Sequence, residues 1–262
     1  MDIEFFRKIG KRLFKEINSR KPYLDKTSLG RGASGDITFP VDKLAEDIII
    51  DEIEKEGFNT TIITEERGIK IVEGSNLIFI IDPIDGSRNA VSGIPFFSTS
   101  IAFADGGNIK NLKTGYIINL INSDEFWAIR EEGAFLNGER IKTKSEEKPL
   151  IISFEVSNPD LIGEDILPLF KMATRVRCFG STALDLAYLS MGAVSLFITP
   201  TPSRIFDFSA GILIAKEAGA VVTNISGNPI ENLPVQITTK TTLLVSANEN
   251  IHKKALSILN LD

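Results

Sequence analysis

The chain has 262 residues, of which 43% are hydrophobic and 24% charged, the balance of an ordinary globular protein that buries a core without covalent staples. A net charge of −6 argues against a general binder of nucleic acid or anionic membrane. Cys178 and His252 are the single cysteine and histidine, which excludes an intrachain disulfide and a thiolate-rich zinc site and leaves histidine-based catalysis one poorly placed candidate. Residues 1–21 are amphipathic rather than a signal peptide, and apolar runs such as Leu77 to Ile81 are too short to span a bilayer, so the reading is a cytoplasmic protein.

Phe5, Phe6, Ile9, Leu13, Phe14 and Ile17 recur at helical spacing and predict a helix over 3–18. Leu24 to Gly35 follows as a glycine-containing loop expected to be mobile. A second helix over 41–56 carries Leu44, Ile48, Ile49 and Ile53 and stops at Gly57. Residues 59–64 and 77–81 read as buried strands, and 97–104, 112–121 and 124–130 as an antiparallel stretch turning at Asp105-Gly-Gly107. Ser145 to Pro149 reads as a charged linker. Beyond it, strands are expected at 151–154, 175–178, 194–198, 220–223 and 243–246, and helices at 160–172, 181–191, 207–219 and 248–259. The chain thus divides into an α+β domain over 1–145 and an α/β domain over 146–262.

The segment Asp82-Pro83-Ile84-Asp85-Gly86-Ser87 ends an apolar strand with two carboxylates three residues apart. Pro83 stiffens the turn, Gly86 permits a close backbone approach, and Ser87 is placed to cap the next helix. Free N–H groups at that helix start suit a phosphate, and the paired carboxylates suit a hard metal bridging protein and phosphate. An Asx turn leading into a capped helix is the plainer alternative. Glu65 and Glu66 end another strand; adjacent acids repel unless something cationic lies between them, although a solvated turn also fits. Asp42 opens the second helix, where helix capping is an alternative role. Asp207 sits among Ile205, Phe206 and Phe208, where a buried carboxylate needs a metal or a basic partner, or else caps the helix.

Glu65-Glu66, Asp82-Pro-Ile-Asp85-Gly-Ser87, Gly133-Ala-Phe-Leu-Asn-Gly138, Gly180-Ser-Thr-Ala183 and Phe206-Asp207-Phe-Ser-Ala-Gly211 resemble the inositol monophosphatase family of Mg²⁺-dependent phosphatases. The matches come in family order and, with Asp36 to Asp42, span residues 36 to 219. The resemblance implies an α+β / α/β fold, a layered αβαβα sandwich, and a homodimer. It implies that Glu65 is a ligand of a first metal, that Asp82 bridges two metals, and that the Ile84 carbonyl completes the first site. Asp85 and Asp207 become ligands of a second metal. Asp42 and Ser87, where the family often has Thr, become the pair that takes a proton from the attacking water, so Asp42, Ser87 and Glu65 are the expected catalytic residues. Asp85, Gly86 and Ser87 face the phosphate, with Ser181 and Thr182 as substrate contacts. Loop 25–35 resembles a metal-sensitive loop of the family, with Arg31 near its basic residue. The all-oxygen donor set selects Mg²⁺, or Mn²⁺, over Zn²⁺, with about two to three ions per site.

Inositol-specific members place a glutamate seven residues before the second-domain aspartate; here that position is Pro200. Arg204 lies nearby, and Arg175 and Arg177 share one face of a strand before Gly180. Arginines suit a second phosphate, with surface ion pairing as the alternative. The expected activity is therefore Mg²⁺-dependent release of phosphate from fructose 1,6-bisphosphate, at C1, and from inositol 1-phosphate, as in the archaeal branch of the family, serving gluconeogenesis. The partner is a small sugar or inositol phosphate, not nucleic acid or membrane. A 3′-phosphoadenosine 5′-phosphate phosphatase is the rival enzyme, and a non-catalytic regulatory protein on the same fold the rival class. Trp127 reads as a packing residue of a strand, Cys178 as a buried small hydrophobe and His252 as a solvated helix residue.

Overall fold

Strand alternation sorts the residues of β3 (Leu77–Asp85) onto two faces. Phe79 and Ile81 join one apolar cluster while Ile78 and Ile80 join another. A strand apolar on both faces belongs in the middle of a sheet covered on both sides. In the structure, a computed structural model describing residues 1–21, 23, 25–145, 150–156 and 166–259, this is its place. An eight-stranded sheet runs β2-β1-β3-β4-β5-β6-β7-β8, built from β1 (Thr61–Thr64), β2 (Gly68–Lys70), β3, β4 (Ser98–Asp105), β5 (Leu112–Asn119), β6 (Glu125–Ile129), β7 (Gly133–Leu136) and β8 (Glu139–Ile141). β1 lies parallel to β3, and β3 through β8 form an antiparallel meander.

One face carries α1 (Ile3–Arg20) and α2 (Pro40–Lys55), whose apolar stripes meet Phe79, Ile81, Ile101 and Tyr116. Asp2 caps α1 by accepting the Glu4 N–H at 3.0 Å, and Pro40 opens α2 at a position where no N–H is needed. The other face carries α5 (Thr182–Ser190) and α6 (Ile205–Glu217), apolar nearly all round because a second sheet covers their far side. At Gly115 a Cβ would stand 2.7 Å from the Ala210 carbonyl oxygen, so the missing side chain lets α6 approach β5. The second sheet runs β10-β9-β11-β13-β12, from β9 (Ile151–Phe154), β10 (Arg175–Arg177), β11 (Leu196–Arg204), β12 (Val221–Thr223) and β13 (Lys240–Ser246). α4 (Leu167–Phe170) and α7 (Glu249–Leu259) cover its outer face around Leu196, Ile198 and Leu244. The five layers are the expected αβαβα sandwich.

Several expected boundaries change. β3 runs on through Asp85, because its ladder to β4 shifts register between Asp82 and Asp85, where Pro83 owes no ladder N–H. β11 likewise continues past Ile198 to Arg204 across an irregularity between Thr199 and Ser203 that accommodates Pro200 and Pro202. β2, β7 and β8 are additional short strands. Of the helix expected over 160–172, residues 160–165 lie outside the described residues and Leu167–Phe170 forms a single turn. Residues 146–149 of the linker, and Leu24 of the glycine loop, also lie outside them.

Candidate active site

The parallel strands β1 and β3 end side by side, with Thr64 opposite Ile81, so Glu65 and Asp82 emerge at the same sheet edge. The irregularity after Asp82 then delivers Asp85 to the same cavity, and the Pro83 carbonyl is pinned by the Thr99 hydroxyl at 2.7 Å. Gly86 follows with φ +93°, at the start of the short α3 (Ser87–Ser92). A Cβ there would lie 2.9 Å from the Gly180 carbonyl oxygen and 3.1 Å from that of Phe96. Asp207 enters from the first turn of α6, below the second sheet. These residues line a cavity of about 510 Å³ between the two sheets.

Ser87 is not the cap of α3; Gly86 holds that position. The Ser87 hydroxyl instead faces Asp42 Oδ1 at 2.6 Å and the Ile84 carbonyl at 2.8 Å, either of which can accept its proton. Asp42 Oδ2 accepts the Phe39 N–H at 2.6 Å, so Asp42 both secures the start of α2 and pairs with Ser87. Asp85 reaches across to the start of α5, accepting the Ser181 hydroxyl and, at 2.8 Å, the Ala183 N–H. Ser181 is therefore the N-cap of α5 and is turned to Asp85, while Thr182 lines the cavity.

Asp42, Glu65, Asp82, Asp85 and Asp207 are all buried. Burial pushes Asp42 up to about 7 against the opposing Ser87 and Phe39 hydrogen bonds. It pushes Glu65 to about 8, with Arg204 opposing and Asp207 adding repulsion. Asp85 rises to about 7 by burial and the neighbouring Asp207 charge, and Asp82 rises well above its ordinary range by burial, then Glu65 and Asp85. Asp82 Oδ1 is buried without a hydrogen-bond partner. A buried, all-oxygen, mutually repelling set with an orphaned carboxylate oxygen has the chemistry of a site for a hard divalent cation. As the side chains stand, no group of three His, Cys, Asp or Glu among the described residues is placed to hold an ion. The Arg204 guanidinium occupies oxygens of two of the four acids, Glu65 and Asp207, and also reaches Asp36. It lies 2.8 Å from Glu65 Oε1, 3.1 Å from Asp207 Oδ1, 3.2 Å from Asp207 Oδ2 and 2.6 Å from Asp36 Oδ2. Burial alone lowers the Arg204 pKa, but Asp207 and Glu65 outweigh it and hold the guanidinium charged.

The basic partner required for Asp207 is thus Arg204, whose side chain faces the acids. Arg177, expected at the substrate, is exposed on β10 and lies outside the cavity lining; its guanidinium donates to the Val176 carbonyl at 2.9 Å. Arg31 donates to the Gly35 carbonyl within its own loop. The cations that line the cavity together with Arg204 are Arg88 and Lys240, and Glu155 lines it too, none foreseen. Arg88 follows Ser87 directly, a signal available in the chain, whereas Lys240 arrives only through its pairing with Arg204 across β11 and β13. Cys178 is exposed rather than buried. His252 is buried rather than solvated, because Ser246 Oγ at 3.0 Å and Thr223 Oγ1 at 3.0 Å satisfy its two ring nitrogens. Trp127 is a strand residue stacked on Phe135, with ring centroids 4.0 Å apart.

A family model described as the inositol monophosphatase family matches residues 1–260. A fructose-1,6-bisphosphatase of Pyrococcus furiosus is 39% identical over 236 residues, covering 86% of this chain and 85% of that protein. A bifunctional NADP phosphatase/NAD kinase of Methanocaldococcus jannaschii is 34% identical over 260 residues, covering 87% of this chain and 45% of that longer protein. Among solved structures, an inositol monophosphatase-fructose 1,6-bisphosphatase superposes with a TM-score of 0.84 at 29% identity, with both chains fully covered.

Proposed function

The chain belongs to the inositol monophosphatase family and is a phosphoric monoester hydrolase, and on that premise we propose that it is a Mg²⁺-dependent phosphatase of fructose 1,6-bisphosphate and inositol 1-phosphate. The observation that carries the reading is the convergence of Glu65, Asp82, Asp85 and Asp207, buried from three chain segments in the lining of one cavity. Glu65, Asp82, Asp85, Asp207 and the Ile84 carbonyl are the groups that would hold Mg²⁺ or Mn²⁺. Bound there, the ions supply positive charge that draws the phosphate in, lowers the pKa of water and stabilises the departing alkoxide.

The chain's own residues do the rest. Asp42 draws the Ser87 proton along the 2.6 Å contact, leaving Ser87 Oγ a lone pair to take a proton from the incoming water. With its pKa near 7, Asp42 can hold that proton and return it to solvent. The main-chain N–H groups of Gly86 and Ser87 donate to the phosphate oxygens, and the Asp85 contacts to Ser181 and Ala183 keep the two sides of the cleft in register around it. Arg88 and Lys240 replace Arg177 as the cavity cations available to a second phosphate.

The NADP phosphatase likeness supports a second reading, a nucleotide 2′- or 3′-phosphate as substrate. Phosphate release with Mg²⁺ from fructose 1,6-bisphosphate, inositol 1-phosphate, NADP and 3′-phosphoadenosine 5′-phosphate, each with an EDTA control, separates them. Comparable kcat/KM on the first two, lost with EDTA, is expected. Turnover confined to the nucleotides would replace the sugar reading.

A further inference from the structure

Arg204 closes β11 and immediately precedes α6, so the sheet and the helix both fix its backbone. Its own N–H donates to Asp207 Oδ2 at 2.8 Å, and its guanidinium carbon sits 4.8 Å from the centre of the Phe206 ring. The side chain, only 21% exposed, then contacts three acids from three segments: Asp36 before α2, Glu65 after β1, and Asp207 in α6. The planar fork matches this arrangement in a way a point charge does not. Two of those acids are among the proposed cation ligands. Arg204 therefore does two opposed things: it holds Glu65 and Asp207 close together against their mutual repulsion, and it occupies the oxygens a divalent cation needs.

Building on the proposed cation dependence, we propose that Arg204 is a positioning residue that acts as an internal rival of the divalent cation, setting the concentration at which the site loads. A cation that takes Glu65 Oε1 and the Asp207 carboxylate must displace the guanidinium, and by linkage anything that weakens the guanidinium contacts tightens cation binding. This reassigns a residue whose position in the chain suggested a contact to substrate.

The test is calorimetric titration of the intact protein with Mn²⁺, without substrate, for wild type, R204Q and R204K, with thermal scans of each in EDTA. R204Q is expected to bind Mn²⁺ about 5–150-fold more tightly, the range of an ordinary coupling between sites. Its melting temperature in EDTA should fall, since the acids lose their partner. R204K keeps the charge but not the fork and should lie between the two on both measurements; the graded tightening of Mn²⁺ is the part that a merely structural arginine would not produce. Unchanged or weaker Mn²⁺ binding in both variants overturns the proposal. Should R204Q fail to fold, R204K decides: tightening supports and its absence overturns. If no ester is hydrolysed but R204Q still tightens Mn²⁺, the substrate reading falls and this inference stands. If the enzyme is active and the variants bind Mn²⁺ no more tightly than wild type, the substrate reading stands and this inference falls. No Mn²⁺ binding by any of the three proteins overturns both.

Discussion

Two acidic regions of this molecule are built on opposite principles. On the seam between α1 and α2, Asp51 and Glu52 are answered by Lys8, Arg12 and Lys55, with Lys8 2.9 Å from Glu52 and Lys55 2.6 Å from Asp51. Contacts with Lys55 and then Arg12 hold Asp51 below the usual carboxylate range, and contacts with Lys8, against partial burial, do the same for Glu52. At the far end of β3 the ratio inverts. Of Glu65, Asp82, Asp85 and Asp207, the Arg204 guanidinium contacts Glu65 and Asp207, and burial drives Glu65, Asp82 and Asp85 up. The seam is a matched surface that helps dock two helices. The cleft is left short of positive charge, which costs stability and creates demand for a cation.

The sharpest way to break this contrast is Asp82→Asn. Turnover should fall at least tenfold, about 1.4 kcal/mol or more of barrier. The melting temperature in EDTA should hold or rise, because a buried carboxyl group with an orphaned oxygen, repelled by Glu65 and Asp85 when ionised, gives way to a neutral amide. Loss of activity accompanied by loss of fold would make Asp82 a residue the fold itself requires. Steady-state phosphate release and thermal scanning read the two effects separately.

A pH series comes next in size. Asp42 and Asp85 titrate near 7 and Glu65 near 8 in the folded chain, all above their ordinary values. Between the ordinary carboxylate range and those values the folded protein holds more protons than the unfolded one, so stability falls as pH rises through the window. The melting temperature in EDTA should thus drop from pH 6 to pH 8. Millimolar Mg²⁺ should restore most of the loss at pH 8, whereas NaCl of matched ionic strength should not. A flat EDTA profile would mean the cleft acids are already matched like those of the seam.

The smallest effect belongs to the seam itself. Arg12→Ala removes a half-exposed pair with Asp51 and a pair with the buried Glu52, which keeps Lys8 and Lys55; at about 0.2–1 kcal/mol each this is roughly 1–8 °C in melting temperature. It should leave kcat and Mn²⁺ affinity untouched. A change in either would mean that α1 and α2 transmit to the cleft.

Much of the fold is legible in the chain because local pattern and tertiary demand agree. Phe5 to Ile17 repeat at helical spacing and the stripe is buried; Phe79 and Ile81 alternate with Ile78 and Ile80, and the sheet is covered on both faces. The acids are legible by type, since carboxylates at strand ends flanked by apolar residues require an explanation. What escapes depends on contacts distant in sequence. Pro83 and Pro200 look like strand breakers, yet each lies at a ladder irregularity that needs no N–H from it. His252 is buried only because Thr223 and Ser246 arrive from two other strands. Arg204 stands out in the chain, but its direction is set in part by Asp36, 168 positions away.

Gly86 carries a consequence beyond its turn. The main chain there approaches the Gly180 carbonyl so closely that a single methyl would stand 2.9 Å from it, at a φ that side chains rarely adopt. The strand bearing the acids and the loop leading into α5 therefore bear on each other backbone to backbone. Side chains can change rotamer and absorb a misfit; peptide planes cannot. The width of the cleft is accordingly a fixed tolerance of the fold, set by one absent carbon, and the chemistry inside inherits its dimensions from that contact.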